Sequence, residues 1–117
     1  MPIALKRIYE TPSPADGQRI LIERLWPRGL SKELAVVDFW AMDTAPSHDL
    51  RAWFDHDPEK WKAFKTWYFA ELDANEDDVA ELREHLRGDA ATFVFASREE
   101  RFNNAVALRE YLGVCRI

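Results

Sequence analysis

Little in this chain announces a reaction. Cysteine occurs once, at Cys115, so no internal disulfide can form and no thiolate pair is at hand for zinc. The three histidines, His48, His56 and His85, lack metal-ligand spacing, and no His-Glu-x-x-His sequence occurs. Glycine appears only four times. There is no Gly-x-Gly-x-x-Gly, no Walker-type phosphate loop and no Gly-x-Ser-x-Gly elbow, which removes the standard dinucleotide, P-loop and α/β-hydrolase readings. Long apolar runs are missing too, and none approaches the ~20 residues needed to cross a bilayer. The N-terminus lacks the apolar segment and small-residue cleavage site of a signal peptide. These absences lead us to expect a cytoplasmic protein with no membrane contact, no metal and no cofactor. An excess of basic charge is also absent: 21 acidic side chains face 16 basic ones, for a net charge of −5. That argues against bulk duplex nucleic acid as a partner, because counterion release needs an extended basic face.

What the chain does have is aromatic bulk. Five Trp, seven Phe and three Tyr in 117 residues supply the core of a single domain over 1–117. Ile3 to Tyr9 reads as a first strand, followed by a connection rich in turn formers from Thr11 to Gly17. Arg19 to Leu25 reads as a second strand, and Thr92 to Ala96 as a third. Ile20-Leu21-Ile22 and Phe93-Val94-Phe95 are continuously apolar, the pattern of strands covered on both faces. Trp26-Pro27-Arg28-Gly29 should form a stiff turn, since Gly29 permits a positive φ. Ser31 suits the cap of a short helix, and Val36 to Trp40 a brief strand. Ser47 caps a helix from His48 to Phe54, and Asp57-Pro58 opens a longer one. In that longer helix Trp61, Phe64, Tyr68 and Leu72 share a face, flanked by Trp67 and Phe69. Its apolar character extends over most of its circumference, which predicts a homo-oligomeric or other contact through Trp67 or Phe69. Asn75 caps a further helix with an acidic first turn. Ser97-Arg98-Glu99-Glu100 has the form of a capping box opening a last helix to Leu112. Apolar strands separated by helices predict an α/β fold, a compact three-layer sandwich with a small, mostly parallel sheet flanked by helices.

In such a sheet ligands bind beyond the carboxyl ends of the strands. The second strand delivers Glu23, Arg24 and Arg28 there, and the third delivers Ser97, Arg98 and Glu99. Arginine beside free helix N–H groups suits a phosphate or carboxylate. The expected ligand-binding set is therefore Arg24, Arg28, Arg98, Ser97, Asn103 and Asn104, with an anionic small molecule as partner. The alternative is that Glu23 and Glu99 merely pair with Arg24 and Arg98 to close the end of the sheet. Catalytic candidates are weaker: His56 and Asp57 ahead of the aromatic helix, and the carboxylates Glu23 and Glu99.

The run Arg19-Ile20-Leu21-Ile22-Glu23-Arg24-Leu25-Trp26-Pro27-Arg28-Gly29-Leu30-Ser31-Lys32 resembles the signature of the YeaO-like branch of the DUF 488 family, a domain of unknown function. Ala45-Pro46-Ser47, Leu50-Arg51-x-Trp53-Phe54-x-His56-Asp57-Pro58, Tyr68-x-x-Glu71-Leu72, Phe95-Ala96-Ser97-Arg98 and Asn103-Asn104-Ala105 match it in order. The resemblance implies an α/β fold and no agreed reaction. It implies Asp where Glu23 and Glu99 stand and His where Phe102 stands, so a mechanism needing that His lacks its titratable group here. A porphyrin methyltransferase label attached to some relatives finds no glycine-rich cofactor loop to support it. Whether the protein is an enzyme is left open by its residues. A cytosolic protein with an arginine-lined site for a phosphorylated or nucleotide-like molecule stands against an interaction module or a nucleic-acid-associated protein.

Overall fold

A computed structural model describes residues 3–88 and 90–114; Cys115 lies outside them. Four parallel strands, β1 (Ile3–Arg7), β2 (Gln18–Leu21), β3 (Phe39–Trp40) and β4 (Ala91–Phe95), form one sheet in the order β1-β4-β2-β3. Five α-helices accompany them among the described residues: α1 (Lys32–Ala35), α2 (His48–Phe54), α3 (Trp61–Asp73), α4 (Glu76–His85) and α5 (Asn104–Val114). The fold is α/β with a wholly parallel sheet. No helix of the described residues is long and apolar enough to cross a membrane.

The unalternated strands serve two unequal cores. Ile20, Ile22, Phe93 and Phe95 point into the larger one, with Leu50 and Phe54 of α2, Phe64, Tyr68 and Leu72 of α3, Val79 and Leu82 of α4 and Leu108 of α5. Leu21 and Val94 point the other way, to Ile8 and Ala35, where Trp26, Leu30, Val37 and Trp40 close over them. The third layer is thus one short helix and a turn rather than a row of helices. Of the α3 face expected to be buried, Phe64, Tyr68 and Leu72 are, whereas Trp61 is only partly covered.

Two strands end earlier than their apolar runs, β1 at Arg7 and β2 at Leu21. For β2 the reason is local. The next β4 donor, Ala96 N–H, is taken by Glu23 Oε2 at 2.9 Å, and a side-chain acceptor cannot propagate a ladder. The turn after β2 is pinned from three sides: Trp26 Nε1 donates to Leu30 O at 2.7 Å, Tyr9 OH donates to Arg28 O at 3.0 Å, and Gly29 sits at φ 76°.

The capping box expected at Ser97 does not open a helix; α5 begins at Asn104. Ser97 Oγ accepts from Glu99 N at 2.9 Å, and Glu99 Oε2 accepts from Arg101 N at 3.0 Å and Phe102 N at 3.3 Å. These side-chain bonds satisfy the backbone in a bent loop, in competition with a helical turn. Asn103 is the working cap instead: its Oδ1 accepts from Val106 N at 2.9 Å.

The opposite end of the sheet holds a glycine with no substitute. Gly17 lies at φ +63°, and a Cβ built there would stand 2.3 Å from Ala90 O. Gly17→Ala should lose more than the ~1–3 kcal/mol of a strained backbone position alone. Urea titration read by circular dichroism checks this, with an unchanged midpoint as the contrary result.

Candidate functional site

A cleft of about 620 Å³ opens at the carboxyl ends of β2 and β4. Glu23 and the Leu25–Arg28 turn supply one wall. Pro46 with His48, Arg51, Ala52 and Phe54 of α2 supply another, continued by Asp55 and His56. Ala96 and Ser97 after β4, Asn104 of α5 and Phe64 of α3 complete it. Parallel pairing of β2 with β4 (Ile20 opposite Phe93, Leu21 opposite Val94) brings the two strand ends side by side.

The residues anticipated from sequence divide into three groups. Glu23, Arg28, His56, Ser97 and Asn104 line the cleft. Arg24 is next to it but committed: Nη2 donates to Ala45 O at 2.9 Å and Nε to Pro46 O at 3.3 Å. Arg98, Asn103, Asp57 and Glu99 are not among its lining residues. Arg98 is exposed on the loop before α5, and Asn103 is fully buried, capping α5 and donating from Nδ2 to Glu99 O at 2.7 Å. Asp57 Oδ1 accepts from Glu59 N at 3.0 Å. Backbone N–H groups of Arg101 and then Phe102 hold the Glu99 carboxyl below its ordinary pKa, with smaller help from His56 and Arg101. Among the described residues no ion pair joins Glu23 to Arg24 or Glu99 to Arg98, so the strand ends are not closed by the expected charge pairs.

Sequence reading missed Arg51, His48, Asp55 and the cleft role of Phe64. His48 and Arg51 are three apart on α2, on the face away from the buried Leu50 and Phe54, and that polar spacing was the available signal. The guanidinium groups of Arg28 and Arg51 make no hydrogen bond or ion pair among the described residues.

Asp55 (φ 45°) and His56 (φ 54°) are consecutive non-glycine residues in the left-handed region, a strained arrangement. It is held by Asp55 N donating to Arg51 O at 3.0 Å and by His56 Nδ1, 3.1 Å from Phe102 O. A carbonyl can only accept, so Nδ1 carries the proton and Nε2 is the free nitrogen. Behind the cleft, burial pushes the Tyr68 hydroxyl well above its ordinary pKa, with Glu71 and Glu23 adding and Arg24 opposing. It stays protonated and donates to Thr44 O. Among the described residues no three His, Cys, Asp or Glu side chains gather as a metal would require.

The family model described as the inactive DUF488-N3 subclade matches residues 2–114. The chain belongs to the DUF488 family. The YeaO-like resemblance in the Arg19–Lys32 signature is therefore confirmed by comparison over nearly the whole chain. The DUF488 relatives include the uncharacterized protein YeaO of Escherichia coli strain K12, 32% identical over 96% of this chain and 97% of its own length. Another is the uncharacterized protein Rv3073c of Mycobacterium tuberculosis strain H37Rv, 37% identical over 95% of this chain and 93% of its own. No solved structure matches at a significant level.

Proposed function

We propose that this protein binds a small anionic, phosphorylated molecule in the cleft at the strand ends, without turning it over. The observation that carries this reading is the pair of uncommitted guanidinium groups, Arg28 and Arg51, lining one cleft from opposite elements. Planar guanidinium groups suit phosphate oxygens bidentately, and the carboxyl edge of a parallel sheet is where such ligands bind. Binding without turnover is supported by two of the four catalytic candidates, which lie outside the cleft lining. Asp57 and Glu99 spend their carboxylates on backbone N–H groups. Phe102 stands where the family resemblance leads one to expect His. The description of the matched subclade as inactive points the same way.

Melting curves of the purified protein against inorganic phosphate, phosphorylated metabolites and nucleotides test the proposal. A ligand present at about 100 times its dissociation constant adds ~2.7 kcal/mol of stability. Arg28→Ala and Arg51→Ala should each weaken the best binder by ~1.5–3 kcal/mol, the scale of a charged hydrogen bond. Both should leave the ligand-free stability within ~0.5 kcal/mol, as exposed unpaired side chains do. A panel that shifts nothing, or two variants that bind as the parent does, removes this reading.

A second reading, a contact between copies of the chain, is favoured by Trp67 alone. It is 52% exposed and packs on Trp53 with ring centroids 4.8 Å apart, whereas Phe69 is partly covered and packs on Tyr111.

A further inference from the structure

The cleft contains a second unmet demand, of opposite sign to that of its arginines. Glu23 is only 7% exposed, lines the cleft and uses one carboxylate oxygen, Oε2, to accept from Ala96 N. Its other oxygen accepts nothing among the described residues, and no fully enclosed side-chain oxygen there is left unsatisfied. Oε1 is therefore open, and the opening available to it is the cleft. No cation stands within ion-pair distance of this carboxylate among the described residues. Its neighbour Arg24 has turned to the carbonyls of Ala45 and Pro46, and Arg28 and Arg51 line the same cavity without reaching it. Asp55 also lines the cleft, but it is exposed and bulk water satisfies it. A carboxylate so nearly removed from water with a single hydrogen bond is costly unless a donor or cation completes it.

We propose that the ligand is bipolar: an organic phosphate held by Arg28 and Arg51, with a nitrogen donor or ammonium group at its other end seated on Glu23 Oε1. This rests on the anion-binding reading above and adds the chemistry of the ligand's second end. Alkyl phosphates answer to the arginines alone. An ω-aminoalkyl phosphate of the right length answers to both ends.

The test titrates the full chain calorimetrically with inorganic phosphate, with alkyl phosphates, and with ω-aminoalkyl phosphates of matched length, starting from O-phosphoethanolamine. At the length that spans the cleft, the amino compound should bind on the order of tenfold more tightly than its alkyl counterpart. Glu23→Gln keeps the side chain's shape and an acceptor for Ala96 N. It should bring the two compounds to within about twofold while leaving inorganic phosphate bound. If every matched pair binds equally in the parent protein, the inference is wrong, whether or not the variant folds. If the preference survives Glu23→Gln, it is wrong as well. If no phosphate binds at all, the anion-binding reading falls first, and this one with it.

Discussion

Phe64→Ala is expected to destabilise the fold by ~3–5 kcal/mol, the range for truncating a buried phenylalanine. Phe64 is 1% exposed. Its ring stacks on Phe54 at 4.2 Å between centroids and meets Trp61 at 5.8 Å and Tyr68 at 5.6 Å. Truncation leaves a cavity among rings that cannot collapse into it without moving α2 against α3, and rigid aromatic planes adapt poorly to lost volume. Phe64 also lines the cleft, so the same change enlarges the ligand site. Chemical denaturation measures the first effect, and phosphate titration at a temperature where the variant is still folded measures the second. A stability loss below ~1 kcal/mol would mean that this face of α3 is not where the core sits.

Asp16→Ala is expected to destabilise by about 3 kcal/mol, the lower end of what breaking a buried ion pair costs, since Asp16 retains 8% exposure. Arg19, only 2% exposed, places Nη1 2.7 Å from Asp16 Oδ2, and Lys6 Nζ lies 3.1 Å from Oδ1. Arg19 also donates from Nη2 to Ala35 O at 2.8 Å and from Nε to Val36 O at 3.0 Å, tying α1 to the sheet. Without Asp16 a buried guanidinium loses its counter-charge and α1 its anchor. Burial works to raise the Asp16 carboxyl's pKa, but the Ser13 N–H, Lys6 and Arg19 together outweigh it and hold it below the ordinary value. A carboxyl whose pKa is lowered by folding contributes stability above its unfolded pKa of ~3.9, and loses that contribution as pH falls through the folded value. The parent protein should therefore lose stability below about pH 4 through this group, and Asp16→Asn should remove that part of the acid dependence. Equal acid sensitivity in parent and variant would show that the cluster carries no net charge stabilisation.

Particular residues show how far a linear reading reaches. Ser47 was legible as a cap because the signal is local: its Oγ accepts from Leu50 N three residues on. The same logic failed at Ser97-Arg98-Glu99-Glu100, where an equally good local pattern folds into a bend stabilised by Glu99 and the cap falls to Asn103. Capping residues bond backbone N–H groups in turns as readily as in helices, and the packing of the next segment decides between the two. Arg28 was legible in the cleft because the turn carrying it is stiff. Arg98, equally marked by its place after a strand, lies outside the lining because its loop is not a helix start.

Composition and short-range periodicity alone determined that the fold is α/β with doubly covered parallel strands. They also set its helices after Ser47 and Asp57, while the DUF488 kinship rests on the likeness of the Arg19–Lys32 stretch to that family's signature. Those features depend on contacts within a few residues or on the average polarity of a segment, which the order of amino acids states directly. Only the tertiary structure decided that Arg51 of α2 faces the same cleft as Arg28, that Arg24 is spent on the Ala45 and Pro46 carbonyls, and that Glu23 is left with an open oxygen. Those outcomes depend on which arginine reaches which acceptor across gaps of more than twenty residues. Charge-assisted hydrogen bonds are short and directional, so a shift of an ångström or two in how α2 packs on the sheet decides which groups are satisfied and which are left for a ligand.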